Sequence, residues 1–157
     1  MSVKPIPERC HSVTPYLIVK KGSEALAFYK RAFDAQEVLC LRGPDGRIAH
    51  AQIRIGDSFV MMADECVEKM ITRSPHTIGG TSTFLHLYVE DVDARFRQAL
   101  SAGATERRRV EDHFYGDRSG VLEDPFGHVW SLSTRKEDLS NEEIARRARE
   151  FFQKAQA

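Results

Sequence analysis

The sequence lacks any apolar run long enough to cross a membrane, and its N-terminal stretch MSVKPIPERCHSV has no apolar signal core. It also lacks charge of one sign: Lys+Arg and Asp+Glu both number 23, so the formal net charge is zero. A nucleic-acid partner is therefore not expected, since such proteins carry a basic excess or stripe. The one basic run, Arg107-Arg108-Arg109, is followed at once by Glu111 and Asp112 and suits a solvated loop or strand edge. Cysteine is scarce. Cys10, Cys40 and Cys66 are odd in number and show no CxxC spacing, which argues for reduced thiols and a cytoplasmic setting. Cys10 and Cys66 show no neighbouring base expected to raise their reactivity, and Cys40 sits in the apolar run VLCL as a core residue. The histidines show neither HxxxH nor HxH spacing.

What is present is ordinary for a water-soluble fold: 157 residues, 41% hydrophobic and 29% charged, enough for a real core. Val13 to Val19 is a short β-prone run, with Pro15 suiting a strand start or edge. Ser23 reads as a helix N-cap, followed by Ala25, Phe28, Tyr29, Ala32 and Phe33 at helical spacing, with Asp34 as the end. Three strands follow at 37–42, 48–55 and 58–63, joined by GPDG and by the hairpin signal Gly56-Asp57. The order is strand, helix, strand, strand, strand.

The second half repeats that order. Thr83 to Val89 is a strand, Asp91 caps a helix with the stripe Val92, Phe96, Ala99 and Leu100, and Gly103 ends it. Strands at 105–110, 120–124 and 129–134 follow, the last two joined by a DPFG turn. An offset of about seventy residues superposes LIVKKGSEALAFYKRAF on LYVEDVDARFRQALSAG, which points to an internal duplication. The expected organisation is a single domain over 1–139, with units at 12–63 and 83–135. The linker at 64–82 contains a short helical turn, and a C-terminal helix spans 140–157. Ser140 caps that last helix, and Ile144, Ala148, Phe151 and Phe152 form its apolar face, expected to pack on the same protein or a dimer mate.

The segments TPYLIVKKGSEALAFYKRAF, GDSFVMMADE, TFLHLYVEDVDARFRQALSAGA and above all FYGDRSGVLEDPFGHVWSL resemble the vicinal oxygen chelate superfamily. The superfamily includes glyoxalases, bleomycin-resistance proteins and dioxygenases, and the likeness is strongest to its PhnB-like branch. It covers about residues 12 to 140. The fold it implies is α+β, with two tandem βαβββ units whose curved mixed sheets surround a cavity. It also implies a homodimer, with the cavity formed in some members between units of different chains. In metal-using members, ligands come from the first and last strands of each unit. The matching positions here are Thr14, Met61, Phe84 and Ser131. Phe84 has no donor, Met61 offers a soft thioether, and Thr14 and Ser131 are weak neutral ligands. No metal or other cofactor is expected.

Strand alternation then gives the expected pocket lining. Tyr16 goes with Thr14, His50 with Gln52 and Arg54, Met61 with Phe59 and Ala63, Phe84 with His86 and Tyr88, and Ser131 with Val129 and Ser133. Trp130 falls on the helix side. Tyr115 is placed as a lid over an aromatic ligand. Arg118 either clamps an anionic group or pairs with Asp117, Glu123 or Asp124. His128 in its turn is expected to be exposed. Three functions compete: metal-free binding of an aromatic or drug-like molecule, metal-dependent lyase or isomerase chemistry at His50, His86 and Glu123, and protein association through the C-terminal helix. Whether a reaction is catalysed stays open at this point.

Overall fold

A computed structural model describes residues 4–7, 10–66, 68 and 72–154. The first unit runs β1 (Tyr16–Val19), α1 (Gly22–Phe33), β2 (Gln36–Arg42), β3 (Ile48–Ile55), β4 (Ser58–Asp64). A short α2 (Pro75–Ile78) lies in the connection. The second unit runs β5 (Phe84–Tyr88), α3 (Val92–Ala102), β6 (Thr105–Asp112), β7 (Asp117–Glu123), β8 (Val129–Arg135), and α4 (Asn141–Lys154) closes the described chain. Each unit makes one four-stranded mixed sheet, ordered β1-β4-β3-β2 and β5-β8-β7-β6. The first and last strands pair in parallel, Tyr16 with Met61 and His86 with Ser131, and the others are antiparallel. The duplication expected from the sequence is thus present at the level of strand order.

Alternation along the strands sends one set of side chains to the helices. Leu17, Val19, Ala51, Ile53, Val60 and Met62 of the first sheet join Leu122, Trp130 and Leu132 of the second in one core with α1 and α3. Trp130 lies 4.7 Å, centroid to centroid, from Phe33 and 5.7 Å from Tyr29, so it faces the helices. Gly120 on β7 passes close beneath α3: an added Cβ would come 2.9 Å from the Phe96 ring. Helices α1 and α3 leave the opposite face of each sheet uncovered, and α4 approaches that face of the second sheet at one end, where Ile144 comes beside Tyr88 and Asp117.

Several local expectations are corrected. Strand β1 begins at Tyr16, so Val13 and Thr14 precede it; the Pro15 carbonyl still accepts the amide of Met61 at 2.9 Å. Ser23 is not the cap of α1. Lys21 takes that position in a left-handed conformation (φ 63), while Ser23 Oγ accepts from Arg42 at 2.7 Å. Strand β7 starts at Asp117, three residues earlier than the pattern gave, because the turn before it is tight. His113 N–H bonds the Asp117 carbonyl at 2.8 Å, and Gly116 supplies φ 92. His128 is buried, and its Nε2 lies 3.0 Å from the Ile18 carbonyl oxygen, tying the second unit to the first. The helical turn expected in the linker is α2, and Arg107 to Arg109 lie exposed on the edge strand β6.

The units are locked together by Asp124. Its carboxylate accepts the Tyr29 hydroxyl at 2.7 Å, the Trp130 indole N–H at 3.0 Å, and the amides of Phe126 and His128 at 2.9 and 3.0 Å. At 3% exposure this charge has exchanged water for four directed donors. Burial, reinforced by the adjacent carboxylate, pushes the Tyr29 phenol well above its ordinary value and keeps it a neutral donor.

Candidate functional site

The helix-free face of the first sheet begins with Tyr16 on β1. Its hydroxyl lies 2.9 Å from His50 Nδ1 on β3, and the rings are tilted with centroids 5.6 Å apart. Partial burial raises the Tyr16 phenol above its ordinary value, so it is a neutral partner to the imidazole. Met61 sits between Tyr16 and Gln52 in register, and Gln52 Nε2 reaches Cys10 Sγ at 3.6 Å. Four of the expected lining residues therefore share one patch, built by three neighbouring strands.

On the second sheet, Phe84, His86 and Tyr88 alternate outward from β5 at the free edge. Their partners on β8 are Val129, Ser131 and Ser133. His86 and Tyr88 meet edge to face at 4.7 Å. Tyr88 donates its hydroxyl to Asp117 Oδ2 at 2.8 Å, and that bond to an accepting carboxylate raises the phenol above its ordinary value. Ser133 Oγ is buried with no hydrogen-bond partner among the described residues. Tyr115 stacks flat on His113, 5.0 Å apart at 6°, beside the Tyr88–Asp117 pair.

Arg118 does not join this group. Neighbouring positions on a strand face opposite ways, and Asp117 takes the helix-free side. Arg118 instead forms two 2.8 Å bonds to Asp93 of α3, and a third at 3.2 Å to Asp112. The pairing expected with Asp117, Glu123 or Asp124 is replaced by these two acids. Ser133 shares the face expected from its alternation with Ser131, and Asp117, which the sequence offered as a partner for Arg118, joins Tyr88 instead. Asp117 precedes the strand expected at 120–124, and its alternation with Ser119 and Val121 marks the face it takes.

Where the units meet, a cavity of about 180 Å³ has apolar walls that include Phe59, Leu85, Leu87 and Trp130, with His11, Thr14 and His86 among its polar groups. A larger cleft, about 970 Å³, lies at the start of α1 and includes Lys21, Arg47 and Asp64. Its carboxylate Asp64 is already engaged by the amides of Gly22 and Ile48, both at 2.7 Å, so it serves the fold.

The four positions implied as metal corners carry an alcohol bound to the His11 carbonyl (Thr14), a thioether, a phenyl ring and a second alcohol. That donor set does not suit a divalent ion. His50 is held by Tyr16, and Glu123 is taken by Arg107 at 2.5 and 2.9 Å. No group of three or more His, Cys, Asp or Glu side chains among the described residues is placed to hold a metal ion.

An uncharacterized protein of Mycobacterium tuberculosis is 44% identical over 137 residues, covering 85% of this chain and 79% of that protein. The fold is shared with a Bacillus cereus protein described as a putative 3-demethylubiquinone-9 3-methyltransferase, PhnB protein. That match has a TM-score of 0.62 at 22% identity, over 79% of this chain and 99% of that one. It is shared too with the fosfomycin resistance protein FosX of Listeria monocytogenes, solved as a mutant with Mn(II) and a dihydroxypropylphosphonic acid. There the TM-score is 0.60 at 17% identity, over 86% of this chain and 94% of that one. The family model of the Glyoxalase/Bleomycin resistance protein/Dioxygenase superfamily matches residues 9–132. By sequence match and by its paired βαβββ architecture, the chain belongs to that superfamily.

Proposed function

We propose that this protein binds a small organic molecule, with aromatic or drug-like character, on its helix-free sheet faces and in the seam between its units, without a metal ion as the anchor. The observation that carries this reading is the seam cavity: apolar walls with a few polar groups are the usual make-up of a small-molecule site. Outside the cavity, the Tyr16–His50 pair and the Tyr88–Asp117 pair add polar groups to the uncovered sheet faces. The donor chemistry at positions 14, 61, 84 and 131 supports binding in place of Lewis-acid catalysis.

A second copy of the chain completes this reading. Tyr16 (45% exposed), Leu41 (51%), Phe84 (61%) and Tyr88 (62%) leave aromatic and aliphatic surface in water, which a homodimer would cover. Replacing Phe84 with Asp is expected to shift the assembly to monomer in analytical ultracentrifugation; an unchanged sedimentation profile would remove this face from the interface.

Trp130 lines the seam and is the single tryptophan, so it reports on occupancy. The test is native mass spectrometry of the purified protein for co-purifying small molecules, followed by titration of the identified compound against Trp130 fluorescence. A saturable change that survives a chelator is expected. His86→Ala should weaken it about tenfold, the scale of one lost polar contact in a desolvated site. A fluorescence change that appears only with added divalent metal contradicts the proposal.

A further inference from the structure

Residues beyond the family-matched segment build part of a second cleft. It measures about 530 Å³ and is lined by Tyr88 of β5, Tyr115 of the β6–β7 turn, Asp117 of β7, Arg135 of β8 and Ile144 of α4. The last two lie outside 9–132. The chain is held there from both sides. The amides of Lys136 and Glu137 bond the Gly116 carbonyl at 2.8 and 3.0 Å, and Arg147 of α4 grips both oxygens of Glu137 at 2.9 Å.

The charges of this cleft are arranged unusually. Asp117 and Arg135 are register partners on adjacent strands, where opposite charges ordinarily pair across the sheet. Here they do not. Arg135 turns to Asp138 at 2.6 Å and to the Glu137 carbonyl at 3.3 Å. Asp117, only 7% exposed, accepts the Tyr88 hydroxyl on Oδ2, and among the described residues no side-chain donor reaches Oδ1. A carboxylate and a guanidinium therefore open separately on one space, with Tyr88, Tyr115 and Ile144 as its flat and apolar walls. A lone cation there would meet Arg135, and a lone anion would meet Asp117. A molecule carrying both charges satisfies both.

We propose that this cleft binds an aromatic zwitterion of amino-acid type: the ammonium on Asp117, the carboxylate on Arg135, and the ring against Tyr88, Tyr115 and Ile144. The inference rests on reading the helix-free face as a ligand surface, and it adds the class of ligand. Asp117 supplies a charge-assisted acceptor, and Arg135, whose Nε and Nη2 already donate to Glu137 and Asp138, offers a carboxylate its Nη1 end.

The test uses L-phenylalanine as probe, with phenethylamine and hydrocinnamate as the analogues that each lack one charge. Binding is followed by NMR shifts of the Tyr88 and Tyr115 rings. A dissociation constant on the order of millimolar suits a ligand of this size. Each analogue should bind at least about tenfold more weakly, and Asp117→Asn and Arg135→Gln should each weaken L-phenylalanine by a similar factor. Both variants preserve shape or lie on the surface, and an unchanged circular dichroism spectrum confirms their folding. The proposal is overturned if L-phenylalanine leaves both rings unshifted, if the three probes bind equally, or if neither variant weakens binding. The seam is read separately by Trp130 fluorescence, so a silent cleft with an occupied seam defeats this inference alone.

Discussion

At the scale of single residues, the chain places its carboxylates where they do opposite work. Asp124 is spent on structure: four donors from both units converge on it. Asp124→Ala would strand the Tyr29 hydroxyl and the Trp130 indole in the core, at a cost of about 3 kcal/mol or more. Tyr29→Phe removes one bond and should cost about 1 kcal/mol. Urea denaturation of the two variants checks the order, and an Asp124→Ala protein as stable as Tyr29→Phe would contradict it. The DPFG turn was legible from the sequence, but its hub was not, because a turn signal does not say which distant donors will reach the aspartate. Asp117, by contrast, keeps an oxygen for the cleft and holds the Tyr88 phenol neutral. Asp117→Asn keeps an acceptor but loses the charge. The Tyr88 titration is then expected to move down toward the ordinary tyrosine range, read by phenolate absorbance. An unmoved titration would mean that Asp117 does not govern it.

At the scale of elements, the sequence pattern located every strand and long helix, and it was plainest in α1, α3 and β3, whose buried residues recur with the period of the element. Ends were less legible. Asp34 ends α1 where the sequence put it, but Lys21 begins it in a left-handed conformation that no local residue preference announces, so the serine two positions later looked like the better cap. Strand parity carried over well to the sheets: Phe84, His86 and Tyr88 share a face, and Trp130 takes the other. Arg118 shows where that reasoning ran short. Its partner Asp93 lies on α3, and contacts between a strand and a helix are invisible to spacing along the chain. Helix α4 has no buried residue and is held largely by ion pairs and by Phe114 against Phe151, with centroids 5.0 Å apart. Arg146 and Arg147 push the Glu143 carboxyl down to about 2, and Arg147 likewise lowers Glu137. Glu143 and its arginine partners all lie on α4, so its depressed carboxyl stabilises the helix at pH above the ordinary carboxylate range, and that contribution is lost as pH falls toward about 2. Helical circular dichroism should therefore fall in this acid window, and Glu143→Gln should remove part of the transition. A profile identical in wild type and variant would show that these pairs do not hold α4.

At the scale of the whole molecule, duplication is the feature the sequence displayed most openly, since two copies of one strand order leave two copies of one pattern. The site was only half visible. Faces follow from alternation, but the seam depends on how α1, α3, Asp124 and His128 join the units, and those contacts span most of the chain. Among the described residues no helix is long and apolar enough to span a membrane. The seam cavity of about 180 Å³ has Thr14 in its lining, while Met61, Phe84 and Ser131 lie on sheet faces outside it, and the central proposal is that a ligand is held here without a metal. The direct measurement is native mass spectrometry of the intact protein before and after exhaustive chelation, with elemental analysis of the same sample. A bound organic molecule that survives chelation, with metal far below one equivalent, is the expected result. A stoichiometric transition metal whose removal releases the molecule would contradict it.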